Sequence, residues 1–167
     1  MRIRKATTRD IPQLQEIFDS PENLSKLEKY SDIDLYQAIG DPNNLFLVAA
    51  SRRTIHCFIW IAGIDDIERG PKIEEFASKS PGAGFGTTLL SFALELLRKG
   101  GHRRIWLATA SDNKDAIRFY SKFGFSEFER RERVWKRRSG DVADGLLMRA
   151  DLGAPIATET EAKLIQA

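Results

Sequence analysis

The sequence contains little cysteine, little net charge and no long hydrophobic run. Cys57 is the only cysteine among 167 residues, so an intramolecular disulfide is excluded and a reducing compartment is expected. The formal net charge of +2 is too small by itself to indicate a nucleic-acid partner. The longest apolar run, residues 57–64, is far shorter than a membrane span, and no apolar stretch follows the basic N-terminus as in a signal peptide. These absences favour a cytoplasmic protein with no membrane partner.

Histidine is also scarce, and no group of His, Cys, Asp and Glu has the spacing of metal ligands, so no metal is expected. What is present is an ordinary globular composition, with 42% hydrophobic and 30% charged residues. This length and composition predict one domain with a hydrophobic core. The pattern weakens from residue 153 onward, which divides the chain into a domain at 1–152 and a C-terminal tail at 153–167.

The order of hydrophobic patterns predicts an α/β or α+β domain built on a largely antiparallel sheet. A first strand is followed by a helix and then by one or two further short helices over residues 22–40, and three apolar strands precede a long helix that is closed by a Gly-Gly pair. A buried strand, a short amphipathic helix and two final strands complete the pattern. The predicted strands are 2–7, 45–51, 54–63, 70–79, 104–109, 125–131 and 145–152, and the predicted helices begin near 11, 22, 87 and 111.

A glycine-rich loop, "SPGAGFGTTLL" at residues 80–90, connects the third of those apolar strands to the long helix. A glycine loop at the start of a helix can hold a phosphate, because backbone N–H groups and the helix dipole both favour an anion. The P-loop is excluded, since Thr87 stands where the Lys that follows the last glycine is needed. A dinucleotide fingerprint is excluded because its last glycine would fall at Thr87 or Leu89.

The loop and a second segment together resemble the GNAT superfamily of N-acetyltransferases. Residues 81–86 match the family's Gln/Arg-x-x-Gly-x-Gly/Ala loop at both glycines but have Pro81 at the first position. Residues 112–125 resemble its Asn-x-x-Ala-x-x-x-Tyr-x-x-x-Gly-Phe segment, and "IRKATTRDI" resembles its first strand and turn. The resemblance covers residues 1–152. It implies a central mixed, mostly antiparallel sheet of about seven strands flanked by helices.

The resemblance also implies a binding site for acetyl-CoA. Backbone N–H groups of the loop would hold the pyrophosphate, the end of the fourth strand would pair with the pantetheine arm, and Asn113 would bind the cofactor where two strands separate. The implied cofactor-binding residues are Phe76, Ala77, Ser78, Ala83, Gly84, Phe85, Gly86, Thr87, Thr88, Asn113, Ala116 and Phe119.

The expected reaction is direct transfer of the acetyl group from acetyl-CoA to a primary amine. By resemblance, Tyr120 would donate a proton to the leaving thiolate. A base must accept the amine's proton, and the fourth strand offers Glu74 and Glu75, which simple alternation places on opposite faces. We take Glu74 as the expected base, with Glu75 and His56 as alternatives. A non-catalytic acyl-CoA-binding or regulatory module on the same fold is the alternative function.

The stretch "RRERVWKRR" at 130–138 carries six basic residues and one acid. It is either a solvated strand end or a patch on the acceptor side that favours an acidic acceptor or partner. The sequence does not identify the acceptor, which is a small-molecule or peptide amine, and it leaves open a homodimer.

Overall fold

A mixed sheet of seven strands organises the protein in the computed structural model, which describes residues 1–153. The strand order is β1-β2-β3-β4-β5-β7-β6, and every neighbouring pair is antiparallel except β4 with β5. This confirms the predicted mixed, mostly antiparallel sheet. The strands are β1 (Arg2–Lys5), β2 (Leu45–Ser51), β3 (Thr54–Ala62), β4 (Lys72–Ser78), β5 (Arg104–Ala110), β6 (Ser126–Lys136) and β7 (Val142–Asp151). The helices are α1 (Ile11–Phe18), α2 (Asp32–Gly40), α3 (Phe85–Lys99) and α4 (Lys114–Ser121), with a 3-10 turn at Thr8–Asp10.

Each face of the sheet has its own hydrophobic core, because successive side chains of a strand point to opposite faces. Phe58 of β3 packs with α1 and α2 on one face, whereas its neighbours Cys57 and Ile59 pack with α3 and α4 on the other. All three side chains are fully buried. Cys57 is therefore a core residue, as its place in an apolar strand predicts.

The pairing of β4 with β5 is short. Only Lys72 with Trp106 and Ile73 with Leu107 are in register, after which both strands continue without pairing to each other. Each strand keeps its other neighbour, since β4 stays paired with β3 as far as Ser78 and β5 with β7 as far as Ala110. The sheet therefore opens between the carboxyl ends of its two parallel strands.

Two segments differ from the sequence prediction. β6 extends to Lys136, so most of the basic stretch lies inside a strand; its residues are exposed at the sheet edge, which leaves no hydrophobic alternation to detect. Of residues 22–40, only Asp32–Gly40 form a helix, and 21–26 form turns. Apart from its first residue, the predicted tail lies outside the described residues. Within residues 1–153, no helix has the length and apolar character needed to cross a membrane.

Candidate functional site

The opening between β4 and β5 leads into a cavity of about 460 Å³. Its wall includes both unpaired strand ends, the glycine loop and the start of α4. The residues predicted from the sequence that line it are Glu74, Phe76, Ala77, Ser78, Gly84, Gly86, Thr87, Asn113, Ala116, Phe119 and Tyr120. Ala83, Phe85 and Thr88 belong to the same loop and helix start but do not line the cavity.

The glycine loop adopts the backbone conformations that its glycines permit. Gly82 and Gly84 have φ of +87° and +83°, in the left-handed region that other residues rarely adopt. Gly84 is the residue directly before α3. The N–H of Ala83 donates to Ser80, and the N–H of Thr88 donates to Gly84. The N–H groups of residues 85–87 lie in the first turn of α3, where they have no intrahelical acceptor and where the helix dipole favours an anion.

Gly86 is required for a different reason. A Cβ at this position would lie 3.2 Å from Phe76 Cζ and 3.8 Å from Phe119 Cζ. The rings of Phe76 and Phe119 stack at 5.5 Å, so the absent side chain lets α3 approach an aromatic pair beneath the cavity. Packing inside the protein therefore explains Gly86 without any ligand.

Tyr120 lies near the end of α4 with 8% of its surface exposed. Phe76, Phe119 and Phe125 surround its ring at centroid distances of 6.2, 5.4 and 5.4 Å. Burial raises the pKa of the Tyr120 phenol, and the nearby charge of Glu75 raises it further. No described residue forms a hydrogen bond with the hydroxyl, which is protonated at neutral pH and free to donate.

Both carboxylates of β4 line the cavity, so the expectation that alternation separates them is wrong. The cause is a register shift between β3 and β4. Trp60 pairs with Glu75 and Ile61 with Ile73, which leaves Glu74 as an extra residue without a partner in β3. The irregularity changes which side chains face the opening, and it has no signature in the sequence.

The two carboxylates have different surroundings. Glu74 is partly exposed and forms an ion pair with Lys72 at 2.9 Å. Glu75 is only 7% exposed, and burial raises its pKa to about 8. The backbone of Glu28 and the hydroxyl of Tyr30 oppose this shift by hydrogen bonding, while the charges of Glu28 and Glu74 add to it. Glu75 is thus a buried acid that changes charge near neutral pH.

Other candidate residues have structural partners. Asn113 caps α4, with its side-chain oxygen accepting the N–H of Ala116 at 3.3 Å, and its amide nitrogen is left for a ligand. His56 does not line the cavity; its Nε2 lies 2.6 Å from Ser51 Oγ and its ring stacks on Phe85. Burial raises the pKa of the Cys57 thiol to about 12. Residues 1–153 contain no group of three His, Cys, Asp or Glu able to hold a metal.

One part of the wall, the residues from the connection between α1 and α2, was missed by sequence reasoning. Trp135 of β6 also lines the cavity, and it lies in the basic stretch 130–138, for which a patch on the acceptor side was one of the two interpretations. Asn23 is buried and donates to the carbonyl oxygens of Ile17 and Ser78 at 2.9 and 3.1 Å, which ties this connection to the end of β4. The other lining residues from the connection are Lys26, Leu27, Glu28 and Tyr30. Only long-range packing brings these residues to the site.

Comparison with known proteins identifies the family. A model of the Acetyltransferase (GNAT) family matches residues 11–125. The chain belongs to this family. The glycine loop, the segment at residues 112–125 and the first strand with its turn had indicated the same family through resemblance.

Individual relatives agree with this assignment. An uncharacterised N-acetyltransferase of Methanocaldococcus jannaschii is 38% identical over 71 residues, which cover 42% of this chain and 31% of that protein. The match thus spans less than a third of that relative's length.

The ribosomal-protein-S18-alanine N-acetyltransferase of Escherichia coli superposes with a TM-score of 0.77 at 20% identity, covering 95% of this chain and 96% of that one. A phosphinothricin acetyltransferase of Sinorhizobium meliloti, in complex with AcCoA, has a TM-score of 0.75 at 17% identity over 95% and 91% of the two chains. These two structures share the fold.

We predict that Glu75→Gln stabilises the protein increasingly as pH rises. Below about pH 4.5 the carboxyl is protonated in both the folded and the unfolded chain. Between there and about pH 8 it ionises only on unfolding, so the free energy of unfolding of the wild type falls, by at most about 1.4 kcal/mol per pH unit. Denaturant unfolding from pH 5 to 8 measures this. Glu74→Gln, which removes the ion pair with Lys72 instead, is the control; an equal pH dependence of wild type and Glu75→Gln would contradict the prediction.

We also predict that Gly84→Asp weakens the binding of CoA much more than Gly84→Asn. Asn and Asp tolerate the left-handed backbone similarly well, and both have the same shape. Only Asp places a negative charge at the start of α3, where it repels a phosphate. We expect at least a tenfold difference in Kd by calorimetry, about 1.4 kcal/mol. Equal Kd values for the two variants would show that the pyrophosphate binds elsewhere.

Proposed function

We propose that the protein is an N-acetyltransferase that transfers the acetyl group of acetyl-CoA directly to a primary amine. The observation that carries the proposal is the cavity between β4 and β5, where buried Glu75 and Tyr120 lie beside the start of α3. Membership of the acetyltransferase family and the AcCoA-bound neighbour support this choice of donor. The single cysteine is consistent with a reducing, cytoplasmic location.

The described residues fit acetyl-CoA at two points. The edge of β4 beyond Ile73 has no strand partner on the β5 side, so Phe76, Ala77 and Ser78 can pair with the amides of pantetheine as a strand pairs with a peptide. The first turn of α3 and the loop before it offer N–H groups to the pyrophosphate. Bound there, acetyl-CoA would supply the acetyl group as a thioester.

The reaction requires two proton transfers, and the cavity offers candidate residues for both. A C–N bond forms as the C–S bond breaks, the amine loses a proton and the thiolate gains one. We assign the first proton to a carboxylate of β4 and the second to Tyr120. Its raised pKa keeps the phenol protonated, so the hydroxyl can donate to sulfur as negative charge develops there.

Between the two carboxylates we favour Glu75 as the base. A base works best when its pKa lies near the working pH, and the pKa of Glu75 is about 8. Glu74, the residue expected from the sequence, is partly exposed and already forms an ion pair with the ammonium group of Lys72. Both carboxylates line the cavity, so replacing each one separately decides between them.

A non-catalytic acyl-CoA-binding module is favoured by one observation, the Pro81 that replaces Gln or Arg in the loop. Thiol release from acetyl-CoA, measured across a panel of amino acids, polyamines and peptides, separates the two functions. A catalyst releases thiol with at least one amine, whereas a module that binds CoA with no amine-dependent release would contradict the proposal.

Tyr120→Phe should lower kcat by more than tenfold while the Kd for CoA changes little. The substitution keeps the ring and its contacts with Phe76, Phe119 and Phe125 but removes the donor, and a proton donor contributes roughly 10²–10⁴-fold in rate. Thiol-release kinetics give kcat, and calorimetry gives the Kd. Near-normal turnover would leave packing as the only role of Tyr120.

Glu75→Gln should remove the rise of kcat/KM with pH that is centred near 8 and lower the plateau, leaving only the rise caused by ionisation of the amine itself. Glu74→Gln, which has the same shape change in the same cavity, should keep that rise. If Glu74→Gln is the impaired variant, the sequence expectation holds and our choice is reversed. If both keep the wild-type profile, neither carboxylate is the base.

A further inference from the structure

A second groove, of about 270 Å³, lies beside the cavity on its acceptor side. We call it the lysine groove; it is lined by residues 25–29 of the α1–α2 connection and 135–138 at the end of β6. Lys26, Leu27, Glu28 and Trp135 line both the groove and the cavity. A ligand in the cavity can therefore continue into the groove without crossing a separate wall.

The lysine groove is strongly positive. Five cationic side chains and one acid, Glu28, line it. Arg137 pairs with Asp112, and Arg138 donates to Asp19 and to the Glu28 carbonyl oxygen, so these two arginines already have acceptors in the protein. The remaining cations are Lys26, Lys29 and Lys136, which are exposed and have no ion-pair partner among residues 1–153.

The two segments that carry these lysines are joined by Arg138. Arg138 joins the end of β6 to the α1–α2 connection through bonds of 3.2 Å to Asp19 and 2.9 Å to Glu28. Lys29 directly follows Glu28, and Lys136 lies two residues before Arg138, so the bonds of Arg138 tie together the two segments that carry these lysines. Joining the segments lowers the entropic cost of bringing both charges to one ligand, compared with lysines on a free loop.

We propose that the lysine groove binds carboxylate side chains of the acceptor, and that the acceptor is an acidic peptide. This inference rests on the proposed function and specifies its substrate. A peptide can place its reacting amine in the cavity, near Glu75, and the acidic residues that follow it in the groove. A polyamine, or a lysine in a basic segment, would instead bring further positive charge toward three unpaired ammonium groups, which disfavours binding.

Binding of unreactive complexes tests the proposal without turnover. In the presence of CoA, which cannot donate an acetyl group, calorimetry compares three hexapeptides that differ only in two adjacent residues: a glutamate pair, a glutamine pair or a lysine pair. We expect the glutamate peptide to bind about tenfold more tightly than the glutamine peptide at low salt, because each exposed ion pair contributes a few-fold at most. The difference should shrink as salt rises, and the lysine peptide should bind most weakly.

The triple variant Lys26→Gln, Lys29→Gln, Lys136→Gln should bind the glutamate and glutamine peptides equally. Lys122→Gln is the matched control, since Lys122 is an exposed lysine at the end of α4 that lines neither the cavity nor the groove. Equal preference for glutamate in the triple variant and the control would overturn the inference, as would equal binding of the glutamate and glutamine peptides by the wild type.

The two proposals fail in distinguishable ways. A lysine-dependent preference for the glutamate peptide, with no acetylation of any amine, would support the groove and reject the acetyltransferase. Acetylation of neutral and acidic peptides with equal kcat/KM in both the wild type and the triple variant would support the acetyltransferase and reject the groove.

Discussion

The site depends on one constraint, the early end of hydrogen bonding between β4 and β5. Two parallel strands pair only at Lys72–Trp106 and Ile73–Leu107, and then each follows its antiparallel neighbour. Neither strand loses all its hydrogen-bonded neighbours where the two separate, because β4 stays paired with β3 and β5 stays paired with β7. The consequence is a cleft at the carboxyl ends of parallel strands, the place where α/β sheets bind ligands. α3 and α4 both start beside that cleft, since each follows one of the two strands, so their N-terminal N–H groups are near it as well.

The register shift in β4 gives the cleft its chemistry at a cost in stability. It leaves Glu74 without a partner in β3 and places both carboxylates along the cavity, with Glu75 in an environment that opposes its charge. A fold selected only for stability would place an apolar residue there. The cost is tolerable because the Glu28 backbone and the Tyr30 hydroxyl lie close enough to stabilise the carboxylate when it forms. A carboxyl group whose pKa is raised by burial and a native state weakened by rising pH are the same physical fact.

Much of the fold could be predicted because its central elements carry local signals. β2 has the bounds that its apolar run predicts, and the glycine loop marks the start of α3. β6 was predicted too short because its exposed charged residues hide the strand, and residues 21–26 form turns with no periodic pattern. The prediction for Glu74 and Glu75 relied on regular alternation, which a single unpaired residue reverses. A bulge is set by pairing with another strand, so one strand's sequence does not reveal it.

The two halves of the site differ in how the sequence encodes them. The proposed donor half would use backbone groups at a strand end and a helix start, which a short motif with glycines at fixed positions can specify. The proposed acceptor half would use side chains brought together by contacts such as that of Arg138 with Asp19, which are 119 residues apart in the chain. No local motif can specify such a surface, because its residues come from distant parts of the chain. A local motif can therefore reveal the loop side of the cavity from the sequence, whereas the surface around Arg138 becomes visible only in the folded chain.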